Sequence, residues 1–122
     1  MKLRAAFVSN SSAASFVLDK RNKRVQEILA QNKDVWEMCF DNRCTGIIEG
    51  QKAIDECQKQ TDFEDWSGQA GIIMGELYGI AEKIGAENIV CLRESDEGSG
   101  GSIKGTNWKE LEKLALFTTD WH

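Results

Sequence analysis

Between Ser67 and Ile84 the residues Ala70, Ile73, Met74, Leu77, Ile80, Ala81 and Ile84 recur at steps of three and four. That spacing lines one face of a helix, and Gly85 follows as a natural left-handed stop. A helix with a single apolar stripe has to be covered by another layer, so this segment alone commits the chain to a packed core. The same helix repeats Gly68, Gly71, Gly75 and Gly79 at three- and four-residue intervals. Each interior glycine costs about 1 kcal/mol relative to alanine, so a compensation is expected. Close approach by a neighbouring helix or strand is the simplest, with a ligand against bare backbone or a homodimer contact as the other uses. Glu76, Tyr78, Glu82 and Lys83 keep the helix out of a bilayer, and nowhere does the chain hold the roughly 18 continuous apolar residues of a membrane span.

The other elements are shorter. Ser15 to Leu18 reads as a strand, and Lys20 to Gln31 as a basic amphipathic helix with Val25, Ile28 and Leu29 inward and Asp19 as its N-cap. Val35 to Phe40 fits a strand with Trp36, Met38 and Phe40 on one face slightly better than a helical turn. Residues 42–46 read as a turn, and Gln51 to Gln60 as a helix carrying Ala53, Ile54 and Cys57 on one stripe. Asn88 to Leu92 is a buried strand, residues 94–102 a mobile acidic loop, and Thr106 the cap of a last helix bearing Trp108, Leu111, Leu114, Ala115 and Phe117 on its apolar face. The expected fold is α+β: a small β-sheet packed with three to four helices, in a single domain over 1–122. At 122 residues such a chain makes a core without disulfides or metal.

The net charge of −5 argues against a surface that binds nucleic acid everywhere. The charge is unevenly spread, however: residues 1–33 carry seven basic groups and two acidic ones, which leaves ten excess negative charges for the rest. Such a split marks an interaction surface or is compensated within the fold, and compensation is the expectation because most charge runs are solvated faces. Cys39, Cys44, Cys57 and Cys91 contain no C-x-x-C, and His122 is the single histidine. Zinc is therefore not expected; Cys57 and Cys91 read as small buried hydrophobes, and the four thiols as reduced in a cytoplasmic setting. The start MKLRAAFVSN has too short an apolar run for an export signal and reads as mature protein, so Asn10-Ser11-Ser12 loses its meaning as a glycosylation site.

Residues 9–15 are small and polar, held between two apolar runs. Their hydroxyls and N–H groups, completed by Arg4, form an anion site or simply satisfy one another in a turn, and the turn is the expectation without P-loop spacing. Phe7-Val8-Ser9-Asn10-Ser11-Ser12 and Ser15-Phe16 resemble the opening of a set of small phage and bacterial proteins that begin M-K-x-R-x-x-F-V-S-N-S-S-S-S-S-F, with Ala13 and Ala14 here replacing two serines. The resemblance covers about the first 17 residues. It implies a phage or mobile-element setting and no particular reaction.

Catalysis has few candidates. The lone histidine is the last residue given, and the carboxylate pairs Glu64-Asp65 and Asp96-Glu97 are sequence neighbours that point apart. No catalytic residue, metal or cofactor is assigned, and a non-enzymatic role is favoured. Four tryptophans, Trp36, Trp66, Trp108 and Trp121, offer interface anchors. The leading expectation is a cytoplasmic phage-type accessory protein that binds a host or viral protein, inhibition being one outcome, through Asp62, Phe63, Asp65, Trp66 and Trp121. The alternative is a nucleotide- or RNA-binding module using Lys20, Arg21, Lys23 and Arg24 with Arg4, Asn10, Ser11 and Ser12.

Overall fold

Two segments, 15–18 and 89–92, are apolar at nearly every position, and the reason is visible in the fold: both strands are covered on both faces. The computed structural model describes residues 13–38, 45–63, 69–95 and 103–121. In chain order these form β1 (Ala13–Asp19), α1 (Lys23–Gln31), β2 (Gly46–Glu49), α2 (Gln51–Phe63), α3 (Gln69–Ile84), a 3-10 turn (Ala86–Asn88), β3 (Ile89–Ser95), α4 (Trp108–Leu114) and β4 (Phe117–Trp121). The sheet order is β2-β3-β1-β4, with every neighbouring pair antiparallel. Four helices on a four-stranded sheet make the expected small α+β domain.

Alternation along β1 and β3 sorts the core into two layers. Phe16, Leu18, Val90 and Leu92 meet Val25 and Ile28 of α1 and Leu111 of α4. Val17, Ile89 and Cys91 meet Ala53, Ile54 and Cys57 of α2 and Met74, Leu77 and Ile80 of α3. From Met74 to Ile84 the stripe read from the spacing is the one that α3 packs inward, the side chains of Ala70 and Ile73 lying outside the described residues, and Gly85, at φ +89°, ends the helix as expected.

Several boundaries differ from the sequence reading, each for a local reason. The N-cap of α1 is Asn22, whose Oδ1 accepts from the N–H groups of Arg24 at 2.8 Å and Val25 at 3.4 Å. Asp19 instead accepts from the Arg21 N–H at 2.9 Å, so Lys20 and Arg21 lie in a turn before the helix. Likewise α4 is capped by Asn107, which accepts from the Glu110 N–H at 2.9 Å, while Thr106 donates its hydroxyl to the Glu110 carboxylate at 2.7 Å. Phe117 belongs to β4 and packs on the α2/α3 side, not on the α4 stripe. Glu94 and Ser95 extend β3 rather than opening the acidic loop, whose residues 96–102 lie outside the described residues. In place of a regular strand over 35–40 there is one parallel bridge, Glu37 to Ile47, and Phe40 lies outside the described residues.

The largest correction concerns the glycines of α3. A Cβ at Gly75 or Gly79 would meet nothing within 4 Å, and both residues are exposed. Close approach by another element therefore does not compensate them. The surroundings of Gly71 and the position of Gly68 lie outside the described residues.

Candidate functional site

The cations proposed for nucleic-acid contact are brought near one another by the β1–α1 turn, and then mostly engaged. Lys20 Nζ lies 2.9 Å from Glu49 Oε1. Arg21 grips Asp19 through Nε at 3.1 Å and Nη2 at 2.9 Å, and holds the Asp19 carboxyl below its ordinary range. Arg24 reaches across to α4, donating from Nε to Glu110 at 2.6 Å and from Nη2 at 2.8 Å, with further bonds to Glu27 and to the Gly105 carbonyl. The guanidinium, together with the Thr106 hydroxyl, lowers the Glu110 carboxyl to about 2. Lys23 is exposed at the start of α1 and has no ion-pair partner among the described residues. The basic run is therefore largely self-compensated, as its charge pattern led one to expect.

The residues proposed for partner contact are less informative. Asp62 and Phe63 end α2 and Trp121 ends β4, paired in register with Ala13, but their side chains are outside the described residues. Asp65, Trp66, Arg4, Asn10, Ser11 and Ser12 lie outside them altogether.

The surface that does stand out was only partly legible. After α1, Asn32 donates its N–H to Leu29 O and accepts one from Val35, and its side chain ties to the 104 turn: Nδ2 donates to Lys104 O at 3.0 Å while Oδ1 accepts from Lys104 N at 2.7 Å. The chain then runs beside β2, where the Ile47 N–H donates to Trp36 O at 3.0 Å and the Met38 N–H to Ile47 O at 3.0 Å. Two ladder bonds thereby hold the backbone of residues 36–38. They leave Met38 buried and the Trp36 side chain 61% exposed, the most exposed of the large hydrophobic residues among those described. Along the same backbone runs an open groove of about 410 Å³ with Leu29, Val35, Ile47 and Ile48 as its apolar lining and Lys33, Lys52, Glu37 and Glu49 as its charges; Val35 and Glu37 line it, and the Trp36 side chain between them does not. Lys52 Nζ and Glu37 Oε2 stand 3.9 Å apart, both exposed, an ion pair too loose to close the groove. The sequence named Trp36 as one of four tryptophans and put it on the same face as Met38. The fold separates the two: Met38 packs into the α2/α3 core while Trp36 stands exposed.

Two thiols and one guanidinium among the described residues are turned inward. Cys57 and Cys91 lie within the α2/α3 core and are not joined in a disulfide, and burial pushes the Cys91 thiol up, away from the thiolate a nucleophile requires. Arg93, the largest fully buried side chain, sits between Ser15 of β1 and Gly46 of β2 in the ladder and donates from Nε to Ser15 Oγ at 3.3 Å. No group of three or more His, Cys, Asp or Glu side chains able to hold a metal occurs among the described residues. No helix of the fold is long and apolar enough to cross a membrane, again among those residues. Comparison with protein-family models, with curated proteins and with solved structures finds no match to this chain.

Proposed function

We propose that this is an accessory protein that acts by binding another protein, and that Trp36 with the groove beside β2 forms the contact. The observation that carries the reading is an indole held out to solvent on a backbone fixed by two ladder bonds. Aromatic anchors of this kind dominate interface energies, and prior ordering of their backbone reduces the entropy lost on association. The groove calls for a partner segment that inserts an apolar side chain over Leu29, Val35 and Ile47 and brings charges of both signs to meet Lys33, Lys52 and Glu37. The cytoplasmic phage or mobile-element setting, with inhibition of a host protein as one outcome, rests on the resemblance of the first 17 residues alone. The nucleotide- or RNA-binding alternative draws less support, because Lys20, Arg21 and Arg24 each already have a carboxylate within 2.9 Å.

The test is capture from nuclease-treated bacterial lysate by tagged wild-type protein and by Trp36→Ala. Truncating an anchor weakens binding by about 2 kcal/mol or more, roughly 30-fold, whereas an exposed side chain changes stability by only about 0.5 kcal/mol. A partner lost on Trp36→Ala while the melt is unchanged supports the reading. A partner held equally by both proteins overturns the surface, and recovery of nucleic acid in place of protein overturns the class.

A further inference from the structure

The two edges of the sheet are treated differently. On the β2 side, Ile47 spends its outward N–H and C=O on residues 36–38. On the β4 side, β1 pairs with the inner edge from Val17 to Ala13, and among the described residues no strand pairs with the outer one. Exposed edges are normally blunted with proline, lysine, a bulge or a charge pointing inward. Phe117–Trp121 reads FTTDW: three aromatic or β-branched types, no proline, no cation and one acidic residue. Leu116, immediately before it, is bonded to Val17 through its N–H and is 48% exposed.

We propose that the outer edge of β4 is a self-association surface on which a second copy of this chain pairs its own β4, antiparallel, about a two-fold axis at Thr119. The sequence of the strand selects that axis. Centred on Thr119, Phe117 lies opposite Trp121 of the second copy and Thr118 opposite Asp120, so two aromatic pairs form and each lone charge meets a hydroxyl residue. Centred on Asp120, two carboxylates would oppose each other; centred on Thr118, the aromatic residues would both face threonine or lie beyond the pair. The four-stranded sheet becomes a continuous sheet of eight, and the exposed Leu116 comes to lie at the rim of the contact. A strand of five residues buries less than the roughly 1,200 Å² of a standard interface, so the dimer is expected to be weak and dependent on concentration. This surface is separate from that of Trp36, and either stands without the other.

Sedimentation equilibrium over a wide concentration range reads the association directly, and it is expected to show a reversible monomer–dimer equilibrium. Register is read by disulfide trapping of Thr119→Cys in a background with Cys39→Ser and Cys44→Ser, using a mild oxidant. Trapping is expected to be at least tenfold faster than for Tyr78→Cys, an exposed position on α3. A monomeric mass throughout overturns the proposal, as does a dimer in which position 119 traps no faster than position 78. A dimer that appears only after removal of residues 1–12 also overturns it, since that segment then holds the edge.

Discussion

The two faces of the sheet are covered in contrasting ways. On one, α2 and α3 pack directly on the strands through Ala53, Ile54, Cys57, Met74, Leu77 and Ile80. On the other, α1 and α4 have nine and seven residues, are separated by more than seventy positions, and are clasped by side chains: Arg24 on Glu110, Thr106 on Glu110, Asn32 on Lys104 and Lys104 on Asp34. A seven-residue helix is not stable alone and offers one fully buried residue, Leu111. Polar clasps do for α4 what apolar length does for α3. Gly105 belongs to the same device: with φ +80° it turns the chain into α4, and a Cβ there would fall on the Gln31 amide oxygen.

Six substitutions break or sharpen this contrast. Leu77→Ala and Leu111→Ala each empty a fully buried site and are expected to cost about 2–5 kcal/mol in urea melts, so both faces depend on apolar packing. Asn32→Ala acts on the clasped face alone. It strands the buried Ile28 carbonyl and the part-buried N–H and carbonyl of Lys104, for a loss of about 1–3 kcal/mol by the same melts, and hydrogen exchange should rise first in α1 and α4.

Gly75→Ala and Gly79→Ala go the other way. Each fills open space on an exposed helix, and each should stabilise the protein by about 1 kcal/mol. A loss of stability at either would show that a neighbour lies against that face. The smallest effect is electrostatic. Glu110, near 2 in the fold against an ordinary 4.5, contributes stability that is complete above about pH 4.5 and is lost as the pH falls towards 2. Glu94, raised by burial, runs opposite: its ionisation disfavours the fold, and protonation in acid relieves that. Glu110→Gln should therefore flatten the acid limb of the stability curve, with little change in its dependence on apolar packing.

How much of this was legible is best argued from particular residues. The helices α2 and α3 announce themselves because their apolar residues repeat at the helical period, and the inner strands β1 and β3 because each is a short unbroken apolar run, covered on both faces. The strands β2 and β4 do not. GIIE is too short for a period to register, and FTTDW follows a helix whose apolar stripe Phe117 continues in spacing. Each becomes a strand because a central strand offers it a ladder, β3 for one and β1 for the other. The candidate contact surface follows the same rule. Trp36 was visible as a residue, but its exposure is read only from the fold, where the Ile47 N–H, eleven positions along the chain, holds its carbonyl.

By itself, then, the sequence determined the α+β class, the buried stripes, the stop at Gly85 and the charge split whose cations Lys20, Arg21 and Arg24 find carboxylates nearby. Those are properties of local spacing and composition. The tertiary structure decided that Trp36 faces solvent, that among the described residues no strand pairs with the outer edge of β4, and that Gly75 and Gly79 of α3 look outward. The physical reason is that exposure depends on what lies across from a residue, and strand pairing brings together positions up to about a hundred apart in the chain.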